Sequence, residues 1–179
     1  GARRVRFLVA GEQPDAEARN TLYETLYDKI YADPACHSIL LCPGDSVSPA
    51  KDIPAWDTAF FSRRAAARHV RWMQSRMPLV VAPGDSAAAR RLFTAAPADT
   101  AGYYSLDYGP VHVAVLNAEK SLAPGSAQHR WLQHALATTK APWRVVMWNA
   151  PGSDRAAQFR RDFQAVAGAR DVDLCIIGN

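Results

Sequence analysis

"GYYSLDYGPVHVAVLN", residues 102–117, reads as two strands, 103 to 107 and 111 to 116, joined by the tight turn Asp107-Tyr108-Gly109-Pro110. That is the pattern of an antiparallel hairpin. It changes the rhythm of what precedes it. Upstream, "VRFLVAG" reads as a buried strand, followed by a helix over about 15 to 32 with Leu22, Leu26 and Ile30 on one face. "SILLCPG" is the second strand. A longer helical region over about 54 to 76 offers Trp56, Phe60, Val70 and Met73 as core contacts, and "PLVVAPG" is the third strand. This β-α-β-α-β order predicts a mainly parallel sheet. Downstream of the hairpin come a helix over about 126 to 138, the strand "WRVVMWN", a helix over about 154 to 167 and the strand "VDLCIIGN". The class is α/β.

The chain has 179 residues, 49% of them hydrophobic, which suits one globular domain over 1–179 with a sizeable core. The apolar runs are short and bounded by turn residues, so no membrane span is expected and the protein should be soluble. "GARRVRFLVAG" passes from basic residues into a strand without a small-residue cleavage site, so no signal peptide is expected within it. The compartment is left open. The net charge of +4 is spread over scattered arginines that suit solvated helix faces, so nucleic acid is not an expected partner. Of the three cysteines, Cys36, Cys42 and Cys175, none stands in a CxxC pair. Cys42 and Cys175 lie in apolar strands, where buried, inert thiols are expected.

In open α/β sheets, loops beyond the carboxyl ends of the strands project polar groups into a shared crevice. Here those ends carry Gly11-Glu12, Gly44-Asp45-Ser46, Gly84-Asp85-Ser86, Asn149-Ala150-Pro151 and Gly178-Asn179. Each alone is an ordinary turn or cap. Five together form a pattern. Other chemistries lack support: no nucleophile elbow, P-loop or GxGxxG occurs, and Ser126 and Ser153 suit helix starts. Arg90 and Arg91, near a helix start, are expected to face solvent. Tyr23, Tyr27 and Tyr31 form a four-residue stripe suited to the core or a partner.

"LLCPGD", "MPLVVAPGD", "YYSLDYGPVHVAVLN", "PGSAQHRWLQHALATTKAPWRVVMWNAP" and "VDLCIIGN" together resemble the calcineurin-like metallophosphoesterases, especially their purple acid phosphatase-like branch. The resemblance covers nearly the whole chain and is strongest from Tyr103 to Pro151. It implies a layered α-β-β-α sandwich of mixed sheets, here lacking the family's C-terminal strands. It also implies two metal ions that activate water and clamp phosphate oxygens. Carried over by position, the first-strand Asp is Glu12 and the GD aspartate is Asp45. Asp85 and Ser86 stand for the Asn and His of GNH, Asn149 for the His of H-x-P, and Asn179 for the first His of GHxH. Ser86 would thus hold the catalytic position, and Glu12, Asp45, Asp85, Asn149 and Asn179 the metal positions.

None of the five histidines falls in a strand-end loop: His69, His129 and His134 lie in expected helices, His37 precedes a strand and His112 is inside one. A usual Fe/Zn dinuclear centre, which depends on imidazole or thiolate donors, is therefore not expected. Two readings remain. In one, the domain is a degenerate phosphoesterase without turnover, used for binding or assembly with a protein partner or phosphorylated ligand. In the other, the oxygen donors form a rebuilt site for Mg²⁺, Mn²⁺ or Ca²⁺ in a metal-dependent phosphoesterase. Three facing carboxylates require a cation or a proton to coexist.

Overall fold

The computed structural model describes residues 5–9, 38–44, 53, 54, 56, 78–84, 86–93, 101–150 and 153–178. The expected first helix, its tyrosine stripe and most of the second helical region lie outside the described residues; Ile53, Pro54 and Trp56 are helical. Three strands, β1 (Arg6–Val9), β2 (Ser38–Cys42) and β3 (Leu79–Val81), form a parallel sheet in that order. A short helix, α1 (Ala87–Phe93), follows β3. The second sheet runs β4 (Tyr104–Tyr108), β5 (Val111–Leu116), β6 (Trp143–Asn149), β7 (Leu174–Gly178). Its β4–β5 pair is antiparallel and its other pairs are parallel. The crossovers β5–β6 and β6–β7 carry α2 (Ala127–Thr138) and α3 (Ser153–Ala167).

The hairpin closes one residue later than its sequence suggests. Tyr108 pairs with Val111, leaving Gly109 and Pro110 as a two-residue loop with Gly109 at φ 58°. A positive φ at the first loop position suits glycine, and the fixed φ of Pro110 suits the second, so β4 extends through Tyr108.

Alternation on β5 and β6 divides the core in two. Val111, Val113, Val115, Val145 and Met147 face the other sheet and meet Ile39, Leu41, Val80 and Ala82. Ala114, Leu116, Val146 and Trp148 face the helices and meet Leu132 and Leu136 of α2 and Phe159, Phe163 and Val166 of α3. Trp148 packs against Phe159 and Phe163 with ring centroids 5.4 and 4.8 Å away in tilted geometry. A strand buried on both faces reads as a nearly continuous apolar run, and β5, VHVAVL, is buried throughout with His112 as its one polar residue. On α2, the Ser126 Oγ accepts from His129 N at 3.2 Å and caps the first turn.

The two sheets are joined by a hydroxyl as well as by apolar packing. Leu40 N donates to Pro78 O and Ala82 N donates to Cys42 O. In a parallel ladder the intervening Val81 therefore turns its N–H and C=O to the outer edge. Tyr104, from β4 of the other sheet, reaches that edge. Its Oη donates to Val81 O at 2.7 Å and accepts from Val81 N at 3.2 Å. Burial raises the Tyr104 pKa well above the ordinary tyrosine value, and the hydrogen bond to Val81 only partly offsets it.

Cys42 is buried as expected, whereas Cys175 is exposed on the outer strand β7. Partial shielding still pushes its thiol up to about 11, with Arg160 acting in the opposite direction, so it is a poor nucleophile at neutral pH. No described helix is long and apolar enough to cross a membrane.

Replacing Tyr104 with Phe leaves the Val81 N–H and C=O without their partner and should cost about 1–3 kcal/mol in urea unfolding. The same variant tests the pH dependence. Above the ordinary tyrosine pKa the unfolded chain releases this proton while the folded chain keeps it. Tyr104 thus contributes stability that is complete below about pH 10 and falls as pH rises further. That part of the alkaline loss should vanish in Tyr104→Phe.

Candidate functional site

The carboxyl ends of both sheets meet on one side of the molecule. Asn149 pairs with Gly178 at the end of β6–β7, and Ala150 N donates to Gly178 O at 3.0 Å. Gly178 lies directly on the β2 loop of the other sheet: a Cβ at this position would overlap the backbone of Pro43 and Gly44. Only glycine permits so close an approach of two chains. The residues next in sequence to Asp45 and Asn179 are therefore in contact, and Asn149 is in register with one of them.

Of the nominated residues, Ser86 and Asn149 are described; Glu12, Asp45, Asp85 and Asn179 lie outside the described residues. Both described residues are half-buried at strand-end loops. The Ser86 Oγ accepts from Ala89 N at 3.1 Å, and Ser86 O accepts from Arg90 N at 3.0 Å, so Ser86 is the N-cap of α1. Arg90, expected to face solvent, is half-buried and turns back so that its Nη1 donates to Gly84 O at 3.4 Å. Arg91 is exposed.

Of the described histidines, His112 stands at the opposite end of β5 and His129 makes local contacts beside the α2 cap. His112, near the start of β5, is buried, with its Nδ1 donating to Asp107 Oδ1 at 2.6 Å; Thr139 Oγ1 donates to the same oxygen at 3.3 Å. These contacts tie the C-terminal end of α2 to the hairpin, at the opposite end of β5. His129 uses its Nδ1 to accept from Gly125 N at 3.3 Å beside the α2 cap. No group of three or more His, Cys, Asp or Glu side chains suited to one metal ion occurs among the described residues. The donors that the described strand ends present are an amide and a hydroxyl already engaged as a helix cap. Neither of these two is an imidazole or thiolate donor of the kind an Fe/Zn pair relies on.

Two residues that sequence patterning did not single out, Asn117 and Gln128, build the end of β5. Both are buried. Asn117 N donates to Gln128 Oε1 at 2.7 Å, and Gln128 Nε2 donates to Asn117 O at 3.0 Å. The side-chain amide thus continues the strand ladder after β5 leaves it. Asn117 Nδ2 donates to Ala101 O at 3.0 Å, and its Oδ1 accepts from Glu119 N at 3.0 Å. The available signal was an Asn ending a nearly continuous apolar strand and a Gln two residues after a helix cap.

A cavity of about 370 Å³ lies between the 118–122 loop and α3, floored by Ala118, Leu122 and Phe159. The Glu119–Arg155 ion pair crosses its rim at 3.3 Å, and Asp162 and Gln158 also border it. Neither Ser86 nor Asn149 is among the described residues that line this cavity. The exposed pair contributes little to stability.

The chain is 22% identical over 197 residues to "Probable purple acid phosphatase 20" of Arabidopsis thaliana, an alignment covering 98% of this chain and 45% of the plant protein. It superposes on a purple acid phosphatase, PPD1, from yellow lupin (Lupinus luteus) seeds with a TM-score of 0.69 at 17% identity. That match covers 98% of this chain and 37% of the other. No protein-family model matches the chain. The chain thus spans less than half the length of these two relatives. Together the two comparisons support a relationship to the calcineurin-like metallophosphoesterases, and the fold is of the purple acid phosphatase type.

Replacing Gln128 with Leu should keep most of the packing while leaving the Asn117 N–H and C=O without their partner. The expected loss in chemical unfolding is roughly 1–3 kcal/mol for each group left bare. A change below about 0.5 kcal/mol, the size of an ordinary surface substitution, would show that the clasp has no structural weight.

Proposed function

We propose that this chain is a metallophosphoesterase-like domain that has kept the scaffold and lost phosphatase turnover, and that it serves in binding or assembly. The observation carrying this reading is Ser86. At the position where the family resemblance calls for a histidine that assists the leaving group, the chain has a hydroxyl that caps α1 through Ala89 N. A serine hydroxyl has too high a pKa to protonate a leaving group near neutrality, and general acid assistance is typically worth about 10² to 10⁴ in rate. The other replacements act in the same direction: Asn149 supplies a neutral amide where the resemblance calls for imidazole.

The occupant that suits this reading is a protein partner or a phosphorylated ligand bound without hydrolysis. A second reading is supported by the meeting of Gly178 with Pro43 and Gly44. That contact, with the Asn149–Gly178 register, gathers the sequence neighbours of several oxygen donors. Glu12, Asp45, Asp85, Asn149 and Asn179 would then bind a hard cation such as Mg²⁺, Mn²⁺ or Ca²⁺, which prefers oxygen ligands.

Release of p-nitrophenol from p-nitrophenyl phosphate in the presence of Mg²⁺, Mn²⁺, Ca²⁺ or Zn²⁺ separates these readings. The expected result is no turnover above a buffer blank with any of the four. Metal-dependent turnover that disappears in Asp45→Ala and Asp85→Ala would overturn the non-catalytic reading. Calorimetric titration of the same cations tests the second: heat that is lost in Asp45→Ala supports a rebuilt cation site, and silence from all four removes it.

A further inference from the structure

We propose that the cavity between the 118–122 loop and α3 is a binding site for an elongated zwitterion, a small molecule with a carboxylate at one end, an ammonium at the other and an apolar spacer between them. The inference goes beyond the phosphoesterase relationship. It does not depend on whether the domain hydrolyses phosphate esters or holds a metal ion.

The position of the cavity follows from the fold. Its loop leaves the carboxyl end of β5 and α3 follows the carboxyl end of β6, so it lies at the sheet end where α/β folds gather ligand-binding loops. The loop is held from beneath. Glu119 N donates to Asn117 Oδ1 and Lys120 N to Asn117 O, both at 3.0 Å, and Gln128 Nε2 donates to Lys120 O at 3.4 Å. Further along, Ser126 Oγ donates to Ser121 O at 3.0 Å and Ala123 N to Ser121 Oγ at 3.2 Å. A wall fixed in this way loses little freedom when a ligand enters. At about 370 Å³, the cavity has the volume of a small-molecule site.

The order of side chains along α3 indicates the class of ligand. Arg155, Phe159 and Asp162 stand at i, i+4 and i+7 on one helix face, and all three line the cavity. Arg155 and Asp162 are thus about 10 Å apart along the helix axis, with Phe159 between them. Ala118 and Leu122 complete the apolar floor. The row reads cation, hydrocarbon, anion.

Each charged end keeps capacity that the protein does not use. Arg155 meets Glu119 O at 3.4 Å and Glu119 Oε2 at 3.3 Å through Nη1 alone, so its Nε and Nη2 edge makes no hydrogen bond among the described residues. A carboxylate fits that edge with two parallel bonds. Asp162 Oδ1 accepts from Gln158 Nε2 at 2.7 Å, and Gln158 Oε1 is held in turn by Arg161 Nη2 at 2.7 Å. The second oxygen, Oδ2, accepts no hydrogen bond among the described residues and suits an ammonium.

Charge balance disfavours simpler ligands. The lining carries two carboxylates, Glu119 and Asp162, and two basic side chains, Lys120 and Arg155. A plain anion would stand against both carboxylates, and a plain cation against both basic groups. A zwitterion of suitable length places each of its charges on an opposite one. Glycine, whose charges are adjacent, is too short to reach from Arg155 to Asp162.

An NMR titration of the full chain, following the backbone amides of Glu119, Ser121, Gln158 and Phe159, tests the inference with glycine and the ω-amino acids aminobutanoate, aminohexanoate and aminooctanoate. Aminohexanoate is expected to shift these amides saturably in the millimolar range, with glycine the weakest of the series. Hexanoate and hexylammonium, each lacking one charge, should bind roughly three- to tenfold more weakly, the effect of one part-exposed charge pair. Arg155→Gln and Asp162→Asn should weaken aminohexanoate by a similar factor. Neither residue is buried, so both variants should fold, and unchanged β5 amides in their spectra report it. No saturable shift with any member of the series up to about 50 mM would overturn the site. So would equal binding of glycine or of the single-charge analogues, or undiminished binding in both variants. The phosphatase assay is read separately: turnover together with aminohexanoate binding contradicts only the non-catalytic reading, and absence of both contradicts only this site.

Discussion

The Tyr104 hydroxyl meets both backbone groups of Val81, and the placement of the two sheets depends on that contact. An apolar interface between sheets is tolerant of sliding, because valines and leucines gain nearly the same burial in neighbouring arrangements. A hydroxyl that must both donate and accept on one residue of an edge strand permits one arrangement. With β4 fixed against β3 in this way, the carboxyl ends of β2 and β7 come together. Gly178 can then rest on Pro43 and Gly44, and Gly102 on Gly84. The contacts at the strand ends follow from a bond made within the inter-sheet core.

This geometry is the part of the relationship to phosphoesterases that the chain retains. The chemistry depends on which side chains stand at the converging ends, and at the two described positions the chain has Ser86 and Asn149. Histidine offers a ligand nitrogen and a proton that can move near neutral pH. Asn149 offers neither, and Ser86 has its oxygen committed to the first turn of α1. His112 and His129 are engaged in contacts of their own. His112 is locked to Asp107 at the far end of β5, and His129 accepts from a loop amide. The groups that stabilise the scaffold, the valine ladder, Trp148 with its two phenylalanines, and the Gln128 clasp, are not the groups nominated for the chemistry.

Much of the fold was legible because central strands are recorded plainly. β5 and β6 are apolar at nearly every position, and Ser126 marks the α2 start as a cap should. The hairpin turn was displaced by one residue because the tendency of Gly109 to adopt positive φ outweighs the general turn preference of Asp107. Arg90 was misread for a different reason. Its local sequence is that of a solvated helix face, and the carbonyl it bonds belongs to a loop only six residues back but folded against Gly102 from another part of the chain. Cys175 was misread because strand composition does not say whether a strand is central or at the edge. The Asn117–Gln128 clasp was invisible for a similar reason, since an amide pair eleven residues apart has no periodic signature. Strand-end convergence could be anticipated from the α/β pattern, whose loops gather beyond the carboxyl ends of the strands, and the family resemblance added that the strands belong to two packed sheets.

The most direct measurement is elemental analysis of the purified protein after expression in medium supplemented with iron, zinc and manganese. The proposed loss of the metal centre should leave all three metals well below one ion per chain. A stoichiometric content of Fe, Zn or Mn that survives desalting and falls in Asp45→Ala would contradict the loss of the metal centre and return the domain to the working phosphoesterases.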